Sequence, residues 1–353
     1  MPLSVLIVRG GRGVKSLFFQ SGAAMRTGKR TIWTLIILGA GSLIAAPAPA
    51  QEPTGTPREV KIALVMTDLT EVDGAAQSFL ADVFMVATWN DPDLAGAEGK
   101  RTLDLEDVWH PTLLIINRRS VTESLPTEVL VQPDGGVVYL QRYTGQFSAP
   151  MNLREFPRDR QEFFVQLVAP SLGGAEVTLV PDESIVARRA AELSISDWKV
   201  GDAELTIDDY QVAPGTPVHP GVKLSLPATR RVTYYVIQVL IPLVAIVMMA
   251  YAVFWVAPAV VPTRVGVVVT TMLTLIAYRF MLANHVPRLP YLTRLDWFML
   301  GATVLVILTL FTMAGTAYLT SQGKDTIVGK IDRAGRLLYP IVFAGYSLFV
   351  WLK

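Results

Sequence analysis

The sequence predicts a β-sandwich followed by a four-helix membrane bundle. Of its 353 residues, 51% are hydrophobic, more than an ordinary soluble chain carries. Short apolar runs of period two, punctuated by Gly, Pro, Asn and Asp, fill the chain from about Glu52 to Thr229. After Arg230-Arg231 come four long apolar segments. The formal net charge of +1 gives no ground for a nucleic-acid partner. There is no cysteine, which excludes disulfides, thiolate metal sites and a thiol nucleophile. His110, His219 and His285 lie far apart, so a histidine metal centre is not expected. No nucleophile–base pair, phosphate-binding Gly loop or metal spacing supports an enzyme, and no cofactor is implied.

Residues 1–50 read as an export signal. Met25-Arg-Thr-Gly-Lys-Arg30 supplies the basic start, Thr31 to Ala46 the apolar core, and Ala48-Pro-Ala50 the small residues before a cut at Gln51. Met25 makes a better start than Met1. Residues 51–229 then form the exported domain. Strands are expected at 60–66, 79–89, 113–116, 129–131, 137–143, 163–168, 177–180 and 205–207, with Pro133-Asp-Gly-Gly136 as a hairpin turn. Strands at this spacing without helical patterns between them indicate a sandwich.

Residues 230–353 form the membrane domain. The expected helices run from Val232 to Val256, Val261 to His285, about Trp297 to Leu319, and Leu337 to Leu352. The last is short for a bilayer, so Arg336 and Lys353 would snorkel to the interfaces. With an exported amino terminus, a third-to-fourth loop bearing Lys324, Lys330, Arg333 and Arg336 falls in the cytoplasm, in line with the positive-inside rule.

The second segment is the least apolar of the four. At about 100° per residue, Gly266, Thr270, Leu273, Ala277 and Met281 fall in one stripe, with Thr274 at its margin. Such a stripe either packs closely on a neighbouring helix or faces water.

Several stretches together resemble the pentameric ligand-gated ion channels, the Cys-loop receptor superfamily, in its cysteine-less prokaryotic form. Residues 149–163 resemble the signature loop, with Phe156, Pro157, Asp159 and Gln161 in place. Ala149 and Phe163 stand where animal receptors have the two cysteines. Trp89-Asn-Asp-Pro-Asp-Leu94, Trp109-His-Pro111 with Asn117, Arg230 with Tyr234-Tyr235 and Ile241-Pro242, and Val286-Pro-Arg-Leu-Pro-Tyr-Leu-Thr293 match further elements. Pro262-Thr-Arg-Val-Gly266, continuing to Thr270-Thr-Met-Leu-Thr274, resembles the pore helix of the anion-selective glycine and GABA receptors.

The resemblance implies a multi-pass homopentamer in an inner membrane, embedded in lipid, with its amino-terminal domain outside. Pro262, Gly266, Thr270, Leu273, Ala277 and Met281 would then line a pore, with Leu273 as its gate. Selectivity would rest on Pro262, Thr263 and Arg264. Cation channels of the family carry a glutamate ring here, whereas no Asp or Glu lies between Asp209 and Asp296. Arg264 projects away from the stripe, but converging helix amino termini would favour chloride or another small anion. Phe84, Tyr139, Arg142 and Tyr210 match agonist-site positions between subunits, Arg142 being equally explained as a strand-surface ion pair. The aromatic box is depleted, so the agonist stays open between a small molecule and a proton, with His285 as one titrating candidate. Asp73, Phe156, Pro157, Asp159, Arg230, Pro287 and Tyr291 would couple the domains, Asp159 pairing with Arg230. The competing readings are a cation-conducting or weakly selective channel and a membrane-anchored sensor that does not conduct.

Overall fold

The computed structural model of the protein describes residues 57–170, 177–282 and 289–352. The export signal, His285 and Pro287 lie outside the described residues.

Alternation of buried and outward residues, clearest over Ser78–Asn90, Gly136–Ser148 and Arg160–Val168, builds two facing sheets. The larger has strands β1 (Arg58–Asp73), β2 (Ser78–Asn90), β3 (Arg101–Asp104), β5 (Arg118–Glu123), β6 (Glu128–Val131), β7 (Gly136–Ser148) and β9 (Val177–Pro181). They run β3-β6-β7-β2-β1-β9, with β5 also on β7, and only β1–β9 pair in parallel. The smaller sheet runs β10 (Trp198–Val200), β14 (Gly221–Arg230), β8 (Arg160–Val168) and β4 (Leu114–Ile115), with β11 (Glu204–Ile207) also on β14. A separate hairpin pairs β12 (Tyr210–Gln211) with β13 (Val218–His219).

On β2, Val83, Met85 and Ala87 turn inward while Asp82, Phe84 and Val86 turn out. Between the sheets, Phe79 stacks on Phe147 at 5.5 Å and meets Phe163 at 5.3 Å. Phe163 in turn meets Trp198 edge-on at 5.2 Å. Apolar contact thus fills both positions, Ala149 and Phe163, where animal receptors have cysteines. The expected turn at 133–136 joins β6 to β7, with Gly135 at φ +86°, a backbone shape glycine adopts without steric cost. The sequence reading omits β3, β5, β10 and, most consequentially, β14. Pro227 interrupts that ten-residue run, yet β14 pairs with β8 along nearly its whole length.

Four helices follow: α1 (Thr233–Trp255), α2 (Val261–Leu282), α3 (Arg294–Ser321) and α4 (Asp325–Leu352). At about 1.5 Å per residue, even the 22 residues of α2 reach across a bilayer core of about 30 Å. Pro242 has no N–H, and its ring crowds the carbonyl four residues back. The chain answers with a wide π-turn over Val236–Leu240 before resuming as ordinary helix. A capping box starts α3: Asp296 N–H donates to Thr293 Oγ1 (3.1 Å) and Thr293 N–H to Asp296 Oδ2 (2.9 Å).

The fourth helix corrects the expectation most. It begins at Asp325 and has 28 residues, so no short span has to be rescued by snorkelling. Lys330, Arg333 and Arg336 are on the helix itself, since α3 ends at Ser321. Polar residues in its first three turns hide the helix from a hydropathy reading, because only one side of them meets apolar neighbours. Arg336 donates from Nε to the Phe254 carbonyl (3.0 Å) and stacks on Trp255 at 4.7 Å.

Two glycines let α4 approach its neighbours. A Cβ on Gly301 would fall 1.9 Å from the Tyr346 ring, and one on Gly335 2.4 Å from Phe254. Tyr346 also donates its hydroxyl to the Trp297 carbonyl at 2.6 Å. Gly301→Ala therefore lowers the thermal unfolding midpoint of the purified protein by pushing α4 off α3. Gly329→Ala, where a Cβ meets nothing within 4 Å, leaves it unchanged or raises it, as removing a helical glycine is worth about 0.5–1 kcal/mol. Equal midpoints for the two variants would contradict this packing.

Candidate pore helix and domain junction

Helix α2 turns one side to the bundle and the other outward. Arg264, Val268, Thr271, Leu275 and Leu282 are buried among α1, α3 and α4. On the opposite side Pro262, Thr263, Gly266, Thr270, Leu273, Ala277 and Met281 are all exposed in the single chain, Leu273 at 62%. A Cβ on Gly266 would meet nothing within 4 Å. Thr271 and Thr274 return their hydroxyls to their own helix, onto the Val267 and Thr270 carbonyls (2.8 Å each). Thr270, one turn below Thr274, has no such bond among the described residues, and its hydroxyl is open to the outward side. The five residues of the sequence-predicted stripe thus share the outward face of α2.

Arg264 departs from the grouping with Pro262 and Thr263. It is 2% exposed and ion-paired through Nη2 to Oδ1 of Asp332 on α4, itself 2% exposed. The acid-free interval from Asp209 to Asp296 is therefore not acid-free in space. Lys223 pairs with Glu162, Arg230 with Asp159, Arg264 with Asp332 and Arg294 with Glu155, every partner coming from outside the interval. What stays uncompensated at the inner end of α2 is its own amino terminus, whose first turn carries no acidic residue.

At the other end of the membrane domain, Arg230 closes β14 and points into a cage. Its guanidinium donates to both Asp159 oxygens (Nε–Oδ1 2.8 Å, Nη2–Oδ2 3.1 Å) and lies 4.2 Å from the Trp198 ring and 5.0 Å from Phe156. Phe156 meets Tyr235, at the start of α1, edge-on at 4.9 Å. The Phe156–Pro157 bond is cis. Gln161 donates to Asp159 Oδ2 (2.8 Å) and to the Asn152 carbonyl (2.9 Å), tying the loop to itself. Tyr291 reaches the same loop: its hydroxyl accepts from Leu153 N–H at 3.1 Å, and Arg154 lies over its ring.

Asp73 does not join these contacts. Its carboxylate accepts from Ala75 and Ala76 N–H (2.9 and 2.8 Å), shaping its own turn. The first hairpin loop reaches the signature loop through Gln77 instead, which exchanges two hydrogen bonds with the Met151 backbone (3.2 and 2.8 Å). Arg294 is the other residue the sequence did not single out. It donates to Glu155 (3.0 Å) and to the Trp351 carbonyl (3.1 Å), joining the signature loop, α3 and the end of α4. Nothing in the local pattern around Gln77 or Arg294 marks either residue.

The agonist-site positions divide. Phe84 and Arg142 sit opposite each other on β2 and β7, on the outward face of the large sheet. Arg142 is ion-paired to Asp82 on that face, so the strand-surface pair is what the chain forms. Tyr139, three residues from Arg142, faces the other way. It is buried in the core, where its hydroxyl accepts from Gln141 Nε2 at 3.3 Å and burial raises its pKa. It therefore does not line a site together with Arg142. Tyr210 stands on the separate hairpin, paired with His219.

Residues 46–214 match the neurotransmitter-gated ion-channel ligand binding domain, and residues 239–328 the neurotransmitter-gated ion-channel transmembrane region. The chain belongs to the Cys-loop receptor superfamily. It is a ligand-gated ion channel of this pentameric family, a multi-pass membrane protein with its amino-terminal domain on the outer side. It is 21% identical over 306 residues to a proton-gated ion channel of Gloeobacter violaceus, covering 85% of this chain and 84% of that one. It is 26% identical over 313 residues to the gamma-aminobutyric acid receptor subunit alpha-2 of Rattus norvegicus, covering 82% and 68%.

In receptor terms, the signature loop is held by Arg230 and Gln77 from the sandwich, Tyr291 from the α2–α3 loop and Arg294 from α3. Arg230→Gln leaves Asp159 buried without its charge partner, which costs about 3–5 kcal/mol. Tyr291→Phe removes one neutral hydrogen bond, about 1 kcal/mol. Thermal unfolding of the two purified variants should rank Arg230→Gln well below Tyr291→Phe, and the reverse order would refute this division of the load.

Proposed function

We propose that the receptor is an anion-selective channel. Copies of α2 surround a wet axis, turning Gly266, Thr270, Leu273, Ala277 and Met281 toward it in successive rings. The observation that carries this reading is the outward face of α2, where these five residues are all exposed in the single chain and the helix's first turn carries no acidic residue. Thr270 hydroxyls replace part of an ion's hydration shell, and a ring of Leu273 closes the path by dewetting. The helix amino termini near Pro262 and Thr263 each present about half a positive charge to that mouth, so chloride is favoured over sodium.

The channel opens when a ligand or proton binds better to the open assembly than to the closed one. The division of Phe84 and Arg142 from Tyr210 supports a site between neighbouring copies, one supplying the sheet face and the next the hairpin. With Arg142 already paired to Asp82, a carboxylate ligand has to displace that pair. The proton-gated relative keeps acid activation as the second reading of the stimulus.

Purified channels in planar bilayers under a KCl gradient should reverse near the chloride potential. Pro262→Glu, which places a carboxylate ring at the inner mouth, should move the reversal potential toward potassium. Wild-type channels that already reverse near the potassium potential would sink the anion assignment. Leu273→Ser should leak without any stimulus, and a closed resting state in that variant would remove Leu273 as the gate.

A further inference from the structure

We infer that Asp332, on the helix carrying none of the stripe, sets the charge of the pore's inner mouth by cancelling Arg264. The inference rests on the conducting stripe of α2 proposed above, but not on the sign of its selectivity.

Arg264 follows Pro262 and Thr263 in the opening of α2, so any charge it keeps is felt at the inner mouth. A guanidinium stays protonated under all ordinary conditions and cannot relieve its burial by losing a proton. It needs an anion, and Asp332 is the group that supplies one. The contact runs through Nη2 and Oδ1 alone: Arg264 Nε and Asp332 Oδ2 are both buried and have no hydrogen-bond partner among the described residues. No second carboxylate shares the guanidinium, and no second cation shares the carboxylate, among the described residues.

The pair also reaches across the bundle. Helix α2 packs against α1 and α3, and α4 packs against α3 and α1. Among the described residues, the ion pair is the polar link that connects the stripe-bearing helix to α4. Around the axis, each Arg264 is neutralised in place, and the mouth takes its potential from the helix termini alone. Without Asp332 the guanidinium keeps its charge but loses its reason to stay buried. The nearest water lies at the inner mouth and the cytoplasmic surface, and a cation turning toward either one adds one positive charge per subunit to the entrance.

Single-channel recording in a Leu273→Ser background, under a KCl gradient, tests this without an identified agonist. Asp332→Asn should raise unitary chloride conductance about twofold at 0.1 M salt and move the reversal potential further toward chloride. The gain should shrink at 1 M salt, where the Debye length falls to about 3 Å. Arg264→Gln alone should shift reversal the opposite way, because it leaves the carboxylate unopposed. The double variant Arg264→Gln/Asp332→Asn removes both charges and should reproduce the background conductance and reversal. Because a neutral pair spares the bundle a lone buried ion, the double variant also decides the matter if either single one does not assemble. A double variant that loses chloride preference overturns the inference, since Arg264 would then have been contributing net charge. Asp332→Asn channels with unchanged conductance and reversal overturn it too, reducing the pair to a structural tie. A background that reverses near potassium refutes the anion assignment instead, and Asp332→Asn must still move it toward chloride. A background that carries no current refutes Leu273 as the gate of a conducting stripe, the reading on which the inference rests.

Discussion

One guanidinium joins two domains built for different solvents. The sandwich is stabilised by apolar residues hidden from water, and the bundle by backbone bonds satisfied inside each helix. Neither principle explains why the two should be mechanically continuous. Arg230 does: it ends β14, bonds both Asp159 oxygens, and lies among Trp198, Phe156 and Tyr235, drawn from the sandwich, the signature loop and α1. A pair this buried tolerates little misalignment, because each partner loses its water and is compensated only while the geometry holds. The signature loop that holds this pair also contacts Tyr291 through Leu153 and Arg294 through Glu155.

The same electrostatic logic recurs at the cytoplasmic end. Buried arginines in this protein are held by acids distant in sequence: Arg230 by Asp159 and Arg264 by Asp332. Each is permanently charged, so each requires a partner wherever it is taken out of water. The long run without acidic residues across the pore helix looks electropositive in one dimension, yet Lys223, Arg230, Arg264 and Arg294 are each paired to an acid in three. The amino terminus of α2 carries no acidic residue in its first turn to offset its partial positive charge.

Period-two alternation exposed β1, β2, β7 and β8 because each has one face in the core and one outside. It passed over β14, where Pro227 breaks the propensity pattern but sits on the outward face and leaves the inward residues intact. The family resemblance set Tyr139 beside Arg142, although an odd separation on a strand sends the two to opposite faces. The first three membrane segments were legible because hydrocarbon demands long apolar runs. The opening turns of α4 were not, because a helix that projects past the bilayer follows the rules of a water-soluble one.

The stripe of α2 and the Asp159–Arg230 pair could be read from the linear sequence. Helical periodicity is local, and the signature-loop motif travels with its partner. Asp332, Gln77 and Arg294 could not. Each acts on a residue far away in the chain, and no local pattern records which distant group a buried charge or an amide will face. Periodicity and hydropathy are properties of neighbouring residues, so the sequence by itself settled which elements form and which sides they bury. Charge neutralisation and the joints between domains are properties of approach in space, and those only the tertiary structure decided.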